Sequence, residues 1–182
     1  MATPIQEAIW VLRAQCGDRE AIESLLRSVH PALHRYVGRV IRAELVDDVM
    51  QDTLLIVVRK LKWLSEPRLF RAWAFRIANR QAQRVLQKER RYDRHDNEEL
   101  LLESLPAAEP PLPEESLREL LDSGELSPAS RAVMVLHFEE GFTLPEVAAV
   151  LEIPVGTAKS RLAYGLTVLR RRFGVKKEFS DG

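Results

Sequence analysis

The side chains best suited to chemistry lie near the C-terminal end of the 182-residue chain, where hydroxyl and basic groups follow one another closely. Thr157, Lys159, Ser160 and Arg161 offer hydrogen-bond donors and positive charge, but no nucleophile paired with a base. Such groups can contact the phosphates of nucleic acid, and arginine can also read a base edge. The chemistry that they indicate is recognition of DNA.

A helix, a tight turn and a second helix are predicted to present these groups. Thr143 is the predicted N-cap of the first helix, with Glu146 completing a capping box. Pro154 interrupts the apolar pattern, and Gly156 opens the second helix. This arrangement favours a helix-turn-helix that enters a DNA major groove, although an ordinary helical hairpin has a similar pattern.

Charge is unevenly distributed along the chain. The 27 Lys and Arg residues balance the 27 Asp and Glu residues, so the formal net charge is zero. Residues 59–94 and 159–177 are nevertheless strongly basic, whereas residues 96–125 are acidic. Such asymmetry concerns binding partners rather than fold, and the two basic blocks favour an anionic partner.

The acidic stretch also contains four prolines, which disfavour helix. We therefore predict an all-α fold in which a flexible, acidic, proline-containing linker, residues 93–115, joins two helical domains, residues 1–92 and 116–177. The alternative is a surface loop within one domain, but loops of this length are uncommon in compact domains.

The N-terminal half is predicted to be helical throughout. Ile5, Ile9 and Leu12 begin the apolar face of a first helix. Asp18 caps a second helix, which the pattern ends at Pro31, and a third helix follows.

A later helix, residues 46–61, combines an apolar face that includes Val58 with an acidic start. Its polar side carries Asp48, Gln51 and Asp52, which suits the helix dipole. These groups offer a patch to a basic partner, although most acidic helix starts are simply solvated ends.

The next predicted helix, residues 69–91, mixes aromatic and basic side chains. Trp73 and Phe75 stand among arginines that include Arg76, Arg80 and Arg84. Arginines can follow a phosphate backbone while aromatic rings stack on unpaired bases. The alternatives are a core position for Trp73 and a solvated face for the arginines.

Two sets of motifs resemble the bacterial sigma factors. Residues 48–53 together with 70–79 are similar to sigma domain two, and residues 126–133 together with 141–162 are similar to domain four. The linker is short and the intermediate domain of larger sigma factors is missing. The chain therefore resembles the extracytoplasmic-function (group four) sigma factors over residues 9–173.

The resemblance implies a sigma factor that binds core RNA polymerase, directs it to promoter DNA and helps to melt the promoter. It implies polymerase contacts at Asp48, Gln51, Asp52, Leu55 and Arg59. It implies minus-ten contacts at Arg68, Trp73, Arg76, Asn79, Arg80 and Arg84. It implies minus-thirty-five contacts at Thr157, Lys159, Ser160 and Arg161.

The chain departs from the family pattern in three places. Relatives often have glycine where Glu152 stands, and a left-handed non-glycine residue costs about 1 kcal/mol. Relatives often have Arg-Asn in place of Asn79-Arg80, and they usually carry basic residues where residues 163–165 are Ala-Tyr-Gly.

The resemblance also implies which groups the protein does not need. We expect no enzyme activity, catalytic residue, cofactor, metal or small-molecule substrate, because the polymerase carries the chemistry. No apolar run is long enough for direct membrane insertion, and a single cysteine, Cys16, fits the reducing cytoplasm. An anti-sigma factor is a further candidate partner.

Two other classes of protein remain alternatives. One is a two-domain helix-turn-helix transcriptional regulator that does not bind polymerase core. The other is an enzyme with a metal held by Cys16, His30 and His34, although these histidines suit surface or capping positions better.

Overall fold

The computed structural model describes residues 2–92 and 114–173, which form helices and contain no β-strand. The predicted all-α fold is thereby confirmed for the part of the chain that it describes. The α-helices of these residues are α1 (Pro4–Gln15), α2 (Arg19–Val40), α3 (Val46–Lys60), α4 (Phe70–Tyr92), α5 (Glu114–Asp122), α6 (Pro128–Met134), α7 (Leu144–Leu151) and α8 (Val155–Phe173).

Most of the predicted linker lies outside the described residues. Its last two positions belong to α5, which begins at Glu114. We refer below to residues 2–92 as the N-terminal half and to residues 114–173 as the C-terminal half. None of the helices described is long and apolar enough to cross a membrane.

The prediction that Pro31 ends a helix is wrong. Helix α2 runs without interruption from Arg19 to Val40, with Pro31 exposed inside it. Proline removes one backbone hydrogen bond from a helix interior. The residues that follow it, Leu33, Tyr36 and Val37, are fully buried, and this burial offsets the loss.

The predicted apolar face of the first helix is also wrong. Ile5, Ile9 and Leu12 are 71%, 45% and 54% exposed, whereas Val11 and Ala14 pack against the core. Both sets of residues have helical spacing, so the pattern alone could not decide which one faces α2.

The core of the N-terminal half is built around aromatic residues of α2 and α4. The rings of Tyr36 and Phe75 meet edge to face with their centroids 5.5 Å apart, and both side chains are fully buried. Phe70 is also fully buried at the start of α4. Packing on this core fixes which side of α4 turns outwards.

The core of the C-terminal half joins α6 to α8. Gly165 of α8 lies so close to Met134 that an added Cβ atom would stand 2.7 Å from the methionine sulfur. A larger residue at this position would require the Met134 side chain to shift. This close approach fixes the axis of α8 and therefore the direction in which its first turns point.

Candidate protein and nucleic-acid interfaces

The five residues predicted to bind polymerase lie on one exposed face of α3. Asp48, Gln51, Asp52, Leu55 and Arg59 are all exposed, and their spacing places them along one side of the helix. We call this surface the α3 face. Leu55 places one exposed apolar side chain among these polar and charged groups.

The α3 face extends further than the sequence indicated. Val58 was predicted to belong to the buried side of α3, but it is 40% exposed, and Leu55 three residues earlier is 46% exposed. The opposite side of the helix, including Val49, Met50 and Val57, is buried. The face therefore combines acidic residues near the start of α3 with an apolar patch further along.

The arginines of α4 and of the turn before it lie mainly at the surface. Arg68, Arg80 and Arg84 are exposed, whereas Trp73 and Arg76 are half-buried. The ring centroid of Trp73 lies 6.3 Å from that of Phe70. These five residues leave a basic surface with one partly accessible aromatic ring.

Two of the α4 residues considered for nucleic-acid contact face the interior in this structure. Phe75, interpreted from the sequence as a ring for stacking on bases, is instead fully buried between Tyr36 and Phe142. Asn79 is 4% exposed, and its side-chain oxygen accepts a 2.9 Å hydrogen bond from the Tyr36 hydroxyl. Burial raises the pKa of Tyr36, so this hydroxyl keeps its proton. In this conformation Asn79 is held by the core.

The helix-turn-helix forms as predicted. The Glu146 carboxylate accepts hydrogen bonds of 2.8 and 2.7 Å from the backbone N–H and the hydroxyl of Thr143. Helix α7 ends at Glu152, which adopts the left-handed conformation with φ 57° and ψ 44°. After this turn α8 begins at Val155, one residue before the predicted start.

The predicted minus-thirty-five residues lie on the first two turns of α8 with unequal exposure. Lys159 is exposed, whereas Thr157, Ser160 and Arg161 are half-buried. The Ser160 hydroxyl donates a 2.8 Å hydrogen bond to the backbone oxygen of Gly156. Lys159 is therefore the most accessible of the four.

Arg161 points towards the N-terminal half. With Asn79 and Gln83 of α4 it lines a cavity of about 280 Å³ between the halves. Burial lowers the pKa of Arg161, and no hydrogen bond or ion pair satisfies its guanidinium within the described residues. The structure thus brings a predicted minus-thirty-five residue beside a predicted minus-ten residue.

Ion pairs that the sequence did not reveal join the two halves. The Glu140 carboxylate, whose side chain is 0% exposed, receives hydrogen bonds of 2.7 Å from Arg35 and 2.8 Å from Arg71. Arg80 donates to both carboxylate oxygens of Glu152, at 2.8 and 2.5 Å. This pairing lowers the pKa of Glu152 and raises that of Arg80.

Three further contacts support this interface. The ring centroids of Phe75 and Phe142 lie 5.2 Å apart in an edge-to-face arrangement. Arg39 is paired with Asp122 and, at 3.2 Å, with Glu139. Each partner stands far from the other in the chain, so local sequence patterns carried no signal for these pairs.

No group of three or more metal-binding side chains comes together among residues 2–92 and 114–173. Cys16 is exposed, and His34 lies 3.7 Å from a carboxylate oxygen of Asp47.

Comparisons with known proteins agree with the motifs. The model of sigma-70 region 2 matches residues 21–92, and the model of sigma-70 region 4 matches residues 124–171. The chain belongs to the sigma-70 family. Its relatives and its two matched regions identify it as an extracytoplasmic-function member.

Three curated relatives span nearly the whole chain. The RNA polymerase sigma factor CarQ of Myxococcus xanthus is 29% identical, covering 89% of this chain and 94% of the relative. The ECF RNA polymerase sigma factor SigW of Bacillus subtilis is 27% identical, with 86% and 90% covered. The ECF RNA polymerase sigma-E factor of Escherichia coli K12 is 24% identical, with 89% and 91% covered.

Two solved structures share the fold. CnrH in complex with the cytosolic domain of CnrY has a TM-score of 0.65 and 24% identity, covering 94% of this chain and 99% of that one. The sigma factor RpoE of Bartonella quintana, in complex with the anti-sigma factor NepR, has a TM-score of 0.65 and 23% identity, with 85% and 98% covered.

Proposed function

We propose that this sigma factor binds core RNA polymerase through the α3 face and directs it to promoters through α4 and α8. The observation that carries the proposal is the exposure of all five residues of the α3 face on one side of a single helix. An acidic and apolar surface of this kind suits a protein partner, because covering exposed apolar groups with another protein is energetically favourable.

The arginines of α4 support a role at the minus-ten element. Arg80 and Arg84 are exposed on a helix whose other side is fixed by the buried Phe70 and Phe75. Rigid support keeps the charges aligned for the phosphates of a melted strand. The half-buried Trp73 supplies a ring beside them for contact with an unpaired base.

The start of α8 supports a role at the minus-thirty-five element. The capping box at Thr143 and the packing of Gly165 against Met134 hold both helices of the helix-turn-helix in place. Lys159 is suited to a phosphate and Arg161 to a base edge, once Arg161 leaves the cavity that it lines here.

The same proposal assigns the remaining parts of the chain. Residues 1–92 would form domain two, residues 93–115 the linker and residues 116–177 domain four. The protein would act in the cytoplasm without catalytic activity or a cofactor of its own. Because CnrH and RpoE are similar and were solved with CnrY and the anti-sigma factor NepR, an anti-sigma factor is a further proposed partner.

Run-off transcription with core RNA polymerase tests this proposal against a regulator that does not bind polymerase. Promoters selected from a genomic library by the reconstituted complex serve as templates, with core polymerase alone as the control. We expect promoter-specific transcripts only when the protein is present. DNA binding without any stimulation of initiation would contradict the proposal and favour the regulator.

A further inference from the structure

We propose that the C-terminal half carries its own competitor for promoter DNA, in which Glu140 and Glu152 hold arginines of the N-terminal half and keep the free protein closed. We call these ion pairs, Glu140 with Arg35 and Arg71, and Glu152 with Arg80, the latch. The inference rests on the proposed function, since it requires Arg80 and Arg161 to contact DNA.

Glu140 is the anchor of the latch. Its carboxylate is completely covered, and each of its oxygens is bound by an arginine from the N-terminal half, Arg35 on α2 or Arg71 on α4. A buried carboxylate needs such partners, because removing it from water without them is costly. When the halves separate, all three groups return to water, so the latch can open without unfolding either half.

Glu152 joins the latch at the helix-turn-helix itself. It is the one described residue other than glycine with a positive φ, and this backbone conformation is rarely adopted by L residues. The turn projects its carboxylate to Arg80, which it binds through two hydrogen bonds. A glycine would form this turn with less strain but would leave Arg80 free.

Arg161 brings one of the predicted minus-thirty-five residues to the closed interface, while Lys159 remains exposed. Its half-buried side chain lines the cavity with Asn79 and Gln83 of α4, so part of it is turned towards the N-terminal half in this conformation. The pairing of Glu152 with Arg80 occupies the minus-ten helix at the same interface. Closure therefore engages one residue of each predicted DNA-reading element, Arg80 of α4 and Arg161 of α8.

The Arg80 guanidinium, which Glu152 binds in the closed protein, is the kind of group that binds DNA phosphates. A carboxylate that pairs with Arg80 places its negative charge where a DNA phosphate would otherwise bind. DNA and the latch therefore compete for one guanidinium. The α3 face lies outside this competition, since its residues are exposed while the latch is closed.

Binding of the full-length protein to a mixed-sequence, fluorescein-labelled single-stranded oligonucleotide tests the latch. The variants Glu152→Gln and Glu140→Gln each remove one latch carboxylate. Glu119→Gln is the matched control, because it removes the same charge from an exposed position of α5 that has no ion pair. Circular dichroism of each variant confirms that the helices are retained.

We expect Glu152→Gln to bind the oligonucleotide up to about fivefold more tightly than Glu119→Gln, the range of an exposed ion pair. We expect about tenfold or more for Glu140→Gln, since its carboxylate is buried. Equal affinities for Glu152→Gln, Glu140→Gln and Glu119→Gln would overturn the latch. Because Glu152 is exposed, its variant remains informative even if Glu140→Gln fails to fold.

Two further measurements separate failure of the latch from failure of the proposed function. If Arg80→Ala binds the oligonucleotide less tightly than the parent and run-off transcription is promoter-specific, but the latch variants match Glu119→Gln, only the latch is wrong. If run-off transcription shows no stimulation by the parent protein, the proposed function is wrong. The latch proposal then fails with it, because it requires a DNA site at Arg80 and Arg161.

Discussion

The α3 face and the arginines of α4 differ in what covers them. All five residues of the α3 face are exposed, whereas Arg80 is bound by Glu152 and Arg71 by Glu140. Both surfaces lie on helices of the same half and rest on the same core. We infer from this difference that the closed protein leaves the α3 face open to a protein partner, whereas Arg80 would have to exchange Glu152 for a DNA phosphate.

This difference implies an order of events. A surface that is already exposed binds without prior rearrangement, whereas a surface whose groups are held by an internal partner binds with an affinity reduced by the fraction of molecules in which those groups are free. Polymerase would therefore bind the closed protein, and DNA would be bound by the small open population or after polymerase has shifted the equilibrium.

The largest effect should follow from reversing charge on the α3 face. Asp48→Lys with Asp52→Lys should weaken binding to core polymerase by about a hundredfold, because like charges facing each other cost several kcal/mol. Both residues are exposed, so the free energy of unfolding should change little. A fluorescence titration with core polymerase measures the affinity.

Asp47→Lys is the matched control for that variant. Asp47 lies next to Asp48, but its side chain, 98% exposed, belongs to a different side of α3. It should retain near-parental affinity. Loss of affinity in Asp47→Lys equal to that in the double variant would show that overall charge, rather than the α3 face, controls binding.

The second effect concerns the minus-thirty-five element. Arg161→Ala should flatten the preference among minus-thirty-five sequences by about 1–3 kcal/mol, the worth of a bidentate base contact. Lys159→Ala should lower affinity for all sequences alike, because a phosphate contact carries no sequence information. Selection from a promoter library with both variants measures the difference. An unchanged preference in Arg161→Ala would show that this residue does not read bases.

A third effect compares two arginines of α4. Arg80 belongs to the latch, whereas Arg84 is hydrogen-bonded to Gln81 on its own helix. Each alanine variant should reduce open-complex formation. Each should also lower the slope of log affinity against log salt concentration by about 1, so the loss of DNA affinity is greatest at low salt. Only Arg80→Ala should also open the free protein.

Permanganate reactivity of the melted strand at several salt concentrations checks the shared part of this prediction. If Arg84→Ala opened the free protein as much as Arg80→Ala, the contact with Glu152 would not be the reason for closure.

The smallest effect separates strain from closure at Glu152. Glu152→Gly and Glu152→Ala both remove the latch carboxylate, but only glycine relieves the left-handed backbone, with φ 57°. Glu152→Gly should therefore be more stable than Glu152→Ala by about 1 kcal/mol. Urea denaturation of the two variants measures their free energies of unfolding. Equal values would contradict the claim that the backbone at Glu152 is strained.

The sequence predicted local features better than long-range ones. The capping box at Thr143, the helix cap at Asp18 and the exposed residues of the α3 face depend on neighbours within one or two turns, and such patterns are visible in the chain. The predictions for Pro31 and Val58 are wrong because packing by distant elements decides whether a helix continues and how much of its apolar side is covered.

The latch could not be predicted from the sequence. Arg35 and Glu140 are separated by 105 positions, and Arg80 and Glu152 by 72. Many acidic and basic residues in the chain could form pairs, and no periodicity indicates which of them meet. Only the docking of α4 on α7 selects Arg80 for Glu152, and that docking is a property of the folded chain.

The distance between the two halves tests the central claim most directly. Spin labels at Gln87 of α4 and Ala149 of α7, both exposed, in a Cys16→Ser background report it by electron paramagnetic resonance. We predict one short distance in the free protein, which lengthens in the open promoter complex and in the Glu140→Gln variant. A long or broad distance in the free protein, or the same short distance in the open complex, would contradict the account.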